Sequence, residues 1–287
     1  MKSLRDALSD FVEGWHEDLS PGWRALLADA QPNPLAADAA LVADPLLPIY
    51  PSRRHAPLPQ ARADAHVFRA FDDIAPAQVR CVIIGQDPYP ALPRATGRSF
   101  EQGDLVRWQV PSSAVANSLR VLVRMLVAER VQDSALLKLS WAKLASHAAT
   151  SAIALEPPRG LFDRLQVEQG VLFLNAGLTI SRYLPGGAPE QIRGHLPFWR
   201  PVVGQVLRAL ATRESGQVVF LCLGQLAQRL LVNEGVKQAA MQAGTWGTRA
   251  ADIALPHPVA NGFIGGPNPF GAVNAKLEAL GAAPVRW

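Results

Sequence analysis

Two cysteines in 287 residues are too few to staple a fold of this size. Cys81 and Cys222 both lie inside apolar runs, so they read as small core residues and not as the start of a disulfide framework. A reducing compartment suits them, and a cytoplasmic protein is the expectation. No stretch of 18 apolar residues occurs, so no membrane span is expected. The opening segment "MKSLRDALSDFVEGW" carries acids among its apolar residues, which a secretory signal would not tolerate, so none is expected. The Ala- and Leu-rich stretch between Leu119 and Gly160 holds no internal repeat or low-complexity tract. Charge of one sign is only mildly in excess: 28 Lys and Arg against 24 Asp and Glu, a net charge of +4 and a pI near 9.4. That balance favours a polyanionic partner without requiring one.

What is present is apolar mass, 49% of the chain, enough for a substantial core. Leu4, Leu8, Phe11 and Trp15 are spaced to share one helical face, and "GWRALLADA" predicts a second short helix. Residues 45–60, "PLLPIYPSRRHAPLPQ", hold five prolines and read as an extended connector. The expected organisation is therefore a helical arm with its connector over 1–60 and an α/β domain over 61–287. In that domain "CVIIG", "GVLFLNA", "QVVFLCLG" and the run ending "DIALPHP" predict strands. Helices are predicted after "VPSS", over "LPFWRPVVGQVLRALATR" and at "QLAQRLLVNEG". Continuous apolar strands alternating with amphipathic helices imply a four-stranded parallel sheet covered on both faces, in a single α/β domain. Between Leu119 and Gly160 the sequence reads as one helix plus an inserted stretch.

In such a sheet, ligands collect beyond the carboxyl ends of the strands. The strand ends deliver Gly85, Gln86, Asp87 and Tyr89, then Asn175, then Gly224 and Gln225, then His257 between two prolines. Singly, each has a structural reading: Asp87 could cap a turn, Asn175 could satisfy loop backbone, and His257 could simply be packed or solvated. Together, a carboxylate, an imidazole and a bidentate amide over one cleft could polarise a bond and read a base edge.

The stretches "GQDPY" (85–89), "GVLFLNAGLT" (170–179) and "LPHPVANGFIGG" running into "PFGAVNAKLEALGAAPVRW" resemble the uracil-DNA glycosylase family, in the order and spacing of its classical, family 1 members. The likeness runs from about residue 65 to the C-terminus, and the third strand "VVFLCLGQLAQ" shares it. The resemblance implies a monofunctional hydrolase that excises uracil from DNA and needs no metal or cofactor. Its implied partner is uracil-containing DNA, single- or double-stranded, with no membrane and a monomeric state. Asp87 matches the carboxylate that stabilises the oxocarbenium-like sugar and orients water. His257 matches a neutral electrophile donating to uracil O2. Asn175 matches the amide that pairs with O4 and N3 of uracil, a pattern cytosine reverses. Gln86 supplies pocket contacts, Phe100 stacks under the base, and Tyr89 fills the space a thymine methyl would need. Ser112, Ser113, Gly224, Gln225 and Asn261 fall where the family contacts DNA.

The chain also departs from the family. Where the family's histidine is followed by Pro-Ser-Pro-Leu-Ser, whose leucine wedges into the vacated stack, this chain reads "HPVANGFIGG". The loop is shorter and lacks that leucine, with Val259, Ala260 and Asn261 in its place; Phe263 or Ile264 could serve as a wedge, yet they correspond to an apolar pair that the family packs into its body. Gln225 stands where the family commonly has serine, and Pro90 where it has histidine. The expectation is intact chemistry with altered handling of duplex DNA. Two alternatives stay open: a relative that binds nucleic acid without turning it over, or a glycosylase for another base.

Overall fold

The computed structural model describes residues 2–150, 153–184 and 187–287. Four strands, β1 (Cys81–Gly85), β2 (Val171–Asn175), β3 (Val218–Leu223) and β4 (Ala250–Leu255), form one parallel sheet in the order β2-β1-β3-β4. Gly85 pairs with Asn175 in register, Ile84 with Cys222, and Leu223 with Leu255.

Side chains alternate across each strand, and that alternation divides the protein into two cores. Val82, Ile84, Leu172, Leu174, Phe220 and Cys222 face one core; Cys81, Ile83, Val171, Phe173, Val219 and Leu221 face the other. Both cysteines are buried and free. Because both faces of β1, β2 and β3 are covered, these strands have no polar side and read as near-continuous apolar runs, whereas β4, at the edge, carries half-buried Asp252.

The first core is closed by helices α1 (Leu4–Phe11) and α2 (Pro21–Leu26) together with α6 (Leu196–Thr212), α7 (Gln225–Asn233) and α8 (Val236–Gln242). The second is closed by α3 (Asn117–Arg130), α4 (Trp141–Ala148), α5 (Pro158–Val167) and α9 (Pro269–Ala279). The segment 119–160 thus holds most of α3, all of α4 and the start of α5, more than the one helix and insertion that its composition suggested.

Helix α1 stops at Phe11, and Trp15 opens a separate short turn yet stays buried in the same core. The N-terminal segment is tied to the body by more than apolar contact. Trp23 Nε1 donates to the Ile74 carbonyl at 2.7 Å. Arg53, in the proline-rich connector, donates to the carbonyls of Phe11 and Glu13 and pairs with buried Asp18. Backbone hydrogen bonds in both directions between Tyr50 and Ile180 attach the connector to the loop after β2. No helix among the described residues is long and apolar enough to cross a membrane.

Candidate active site

The site is built at the carboxyl edge of the sheet, around Gly85. A Cβ at this position would lie 2.6 Å from Asn175 Oδ1 and 2.8 Å from Ser99 Cβ, so only glycine lets β1 and β2 bring the amide this close. The same position is 3.6 Å from the Phe100 ring. Asn175 and Phe100 therefore meet against the backbone from which Gln86 and Asp87 project. Asn175 is 1% exposed, and neither its Oδ1 nor its Nδ2 has a partner among the described residues. A buried amide left unpaired costs about 1–3 kcal/mol, which only a ligand or ordered water can recover.

Phe100 adopts a left-handed backbone, φ +63°, that a phenylalanine does not take by preference. Its surroundings fix it there. Ser99 donates through its amide to the Phe173 carbonyl and through Oγ to the Ile83 carbonyl, both near 3 Å. Tyr89 Oη donates to the Phe100 carbonyl at 3.3 Å and meets Ser118 Oγ at 3.2 Å. Burial pushes the Tyr89 phenol up to about 12, so it remains a protonated donor. On either side of the aromatic, Arg98 and Glu101 are almost wholly buried. Arg98 pairs with Asp163 at 2.8 Å and with Glu101 at 3.5 Å, and Arg62 reaches Glu101 at 3.0 Å.

Asp87 and His257 line one cleft of about 650 Å³ together with Gln86, Gly224 and Gln225. Asn175, Tyr89 and Phe100 are not in its wall; they flank it on the β1–β2 side. Burial raises the Asp87 carboxyl to about 6, against which Gln86 Nε2, donating at 3.3 Å, is a weaker opposing influence. Gly224, at φ +95°, presses against the histidine: a Cβ there would lie 3.2 Å from His257 Cβ. Burial also lowers the His257 pKa, favouring the neutral ring. The Val259 amide donates to Nδ1 at 3.4 Å, so the proton of a neutral imidazole sits on Nε2.

Of the residues placed on DNA, Gly224 and Gln225 line the cleft. Ser112 and Ser113 lie exposed in a short 3₁₀ turn before α3, and Asn261 lies exposed in the loop after His257, all three outside the cleft wall. Phe263 is 4% exposed and packed in the second core, with Ile264 half-buried beside it, so the pair belongs to the body, as its counterpart in the family implies, and Phe263 is not a wedge. The apolar side chain that the loop does present is Val259, 52% exposed.

No motif in the sequence marks the opposite wall, formed by Ile180, Arg182, Tyr183, Ala188, Gln191 and Ile192. It is anchored by His195, fully buried and held neutral by that burial, which lowers it to about 3. Thr179 Oγ1 lies 2.8 Å from its Nδ1 and Ser181 Oγ 2.9 Å from its Nε2, while Trp199 Nε1 donates to the same threonine hydroxyl. Gln191 opens a π-helical turn, Gln191–His195. The one signal available was position: a loop that follows a parallel strand borders the crevice.

A scan against protein-family models finds no match. Curated relatives do match. The chain is 30% identical over 225 residues to a uracil-DNA glycosylase of Pediococcus pentosaceus, covering 77% of each chain. It is 29% identical over 275 residues to one from Thermobifida fusca, covering 95% of each. Among solved structures, the wild-type UNG of Nitratifractor salsuginis superposes with a TM-score of 0.61 at 21% identity, over 95% of this chain and 98% of that one. Mimivirus uracil-DNA glycosylase superposes at 0.53 with 17% identity, over 84% and 75%. The structural likenesses establish the fold, and the sequence identity to the Pediococcus relative over more than two thirds of each chain places this chain in the uracil-DNA glycosylase family.

Proposed function

We propose that this chain is a monofunctional uracil-DNA glycosylase of the classical type, hydrolysing the N-glycosidic bond of deoxyuridine in DNA repair. The observation that carries the reading is the join at Gly85. A buried amide on β2, without a partner among the described residues, abuts the backbone that holds, two residues on, a carboxylate sharing a cleft with a neutral imidazole.

As the bond breaks, positive charge grows on the sugar and negative charge on the departing base. Asp87 as carboxylate faces the first, and it accepts the proton of the water whose hydroxyl joins C1′. His257 Nε2–H faces the second at uracil O2, and a neutral ring keeps that hydrogen bond throughout the reaction. Asn175 can donate to O4 while accepting from N3–H, which cytosine would leave unmatched. Tyr89, fixed by its hydrogen bonds to Phe100 and Ser118, bars the thymine methyl. Gln86 and Phe100 complete the base pocket, and Gly224 and Gln225, at the start of α7, meet backbone phosphate.

The loop after His257 supports a further reading, in which duplex is handled differently from single strand. Extruding a base from a duplex costs a few kcal/mol. With Phe263 in the core, Val259 is the large apolar side chain that the loop exposes to fill the vacated stack. An excision assay with purified protein, on one labelled strand carrying a single uracil, tests both readings when run alone and annealed. Release of uracil is expected, faster from the single strand. Tight binding without release would make the protein a nucleic-acid binder, and equal rates would dismiss the altered duplex handling.

A further inference from the structure

Gln191 poses the same question as Asn175, on the opposite wall. It is 2% exposed, it lines the cleft of Asp87 and His257, and neither atom of its amide has a partner among the described residues. Its Nε2 is 3.1 Å from where a Cβ of Gly177 would be, which places the amide on the floor beside the loop that leaves β2. The π-helical turn that begins at Gln191 carries it there, a distortion often found where a side chain must be aimed at a ligand. Asn175, which reads the excised base in the proposed reaction, is not in the wall of this cleft, and a cleft of about 650 Å³ is several times larger than one base, so it has room beside the pyrimidine for a second group at Gln191.

Three other features of the wall suit a nucleotide. Tyr183 is 56% exposed, an aromatic face open to the cleft. Arg182 and Arg229 are exposed on the same lining, one on each wall, and each is held by a side chain: Arg182 to Glu190 at 3.4 Å, Arg229 to Gln225 at 2.9 Å. An aromatic platform between cationic groups is how single strands are held, by stacking a base and neutralising phosphate. An amide with donor and acceptor side by side reads the edge of a base.

We propose that this half of the cleft is a subsite for the nucleotide adjoining the excised uracil on the same strand. Tyr183 stacks its base, Gln191 reads its edge, and Arg182 and Arg229 take its phosphate. The proposal rests on the uracil-excision reading. It makes excision from single strands depend on the neighbouring base, which a site reading uracil alone would not do.

The test uses short single strands with one uracil, its 5′ or 3′ neighbour being each of the four bases or an abasic residue. For the wild type, an abasic neighbour on one side is expected to lower kcat/KM about five- to tenfold, mainly through KM, with the four bases differing among themselves. In Gln191→Leu the spread among the four bases should collapse. In Tyr183→Ala the ratio of base-bearing to abasic neighbour should fall towards one. Tyr183 is exposed, so its variant keeps the test decisive if Gln191→Leu fails to fold. Wild-type rates indifferent to both neighbours would overturn the subsite alone. So would variants that slow every substrate equally and leave the ratios unchanged. Absence of excision from every strand would overturn the functional reading along with it.

Discussion

On the β1–β2 side of the cleft, Asn175 is buried, Phe100 is held in a left-handed backbone by hydrogen bonds on both flanks, and Arg98 and Glu101 are paired out of water. On the β3–β4 side, His257 and residues 259–262 are exposed, and the loop is held by short-range turn hydrogen bonds such as Ala260 to His257 and Phe263 to Ala260. The contrast separates two tasks. Telling uracil from cytosine depends on unpaired groups that cannot relax to find other partners, so they must be fixed before the base arrives. Following a strand asks for exposed, adaptable contacts, which this chain has kept few and short.

The sharpest break in that comparison is at the seam between the sides. Asp87→Asn keeps the shape and removes the charge, so excision is expected to fall on the order of 10³-fold while a uracil-bearing strand still binds. Single-turnover rates and a binding titration measure the two separately, and activity equal to wild type would take Asp87 out of the chemistry.

Next in size is a stability difference between the two sides. Glu101→Ala leaves Arg98 and Arg62 without their buried partner and is expected to cost about 3 kcal/mol in urea unfolding. Asn261→Ala, on the exposed loop, should stay within about 0.5 kcal/mol. Similar losses for both would mean that the braced side is no more fixed than the open one.

The seam should also show in pH. The Asp87 carboxyl lies near 6, and the reaction uses its ionised form. Activity on a single strand is therefore expected to be flat at neutral pH and to fall, by about tenfold per unit at the limit, as pH drops below about 6. Partial desolvation at the cleft lowers the His257 pKa and favours its neutral ring, and the acid limb belongs to Asp87, so it should persist in His257→Asn at a lower absolute rate. A limb that disappears with the histidine would assign it to the imidazole.

Much of this could be read in the letters alone. Strands β1, β2 and β3 were legible because burial on both faces leaves them almost wholly apolar, and Gly85, Asp87, Asn175 and His257 because they stand at or just past strand ends, where chemistry collects. The bracing of Phe100 was not, since Arg98, Glu101 and Asp163 are charges that a sequence assigns to the surface until tertiary contact pairs them, Arg98 with Asp163 across 65 positions and Glu101 with Arg62 across 39. Gln191 was equally silent: one amide in a loop has no periodicity, and a π-helical turn has no signature in the sequence. The N-terminal segment looked separable because prolines follow it, yet Leu8, Trp15 and Trp23 share a core with Phe68 and Trp199, an association set by side-chain packing rather than by local pattern.

The smallest expected effect concerns the open side and sets its limit. If Val259 is what the loop offers to a vacated stack, lengthening it should help duplex substrate and do little for single strands, where no stack needs filling. Val259→Leu adds one methylene, and complete burial of a methylene is worth about 0.8 kcal/mol, so the gain on duplex is bounded at about fourfold. Excision rates on annealed and single strands, taken as a ratio, isolate that gain from any general change in the enzyme. A ratio unmoved by Val259→Leu, beside a strong single-strand preference in the wild type, would mean that the preference arises from the wall carrying Tyr183 and Gln191 and not from the loop after His257.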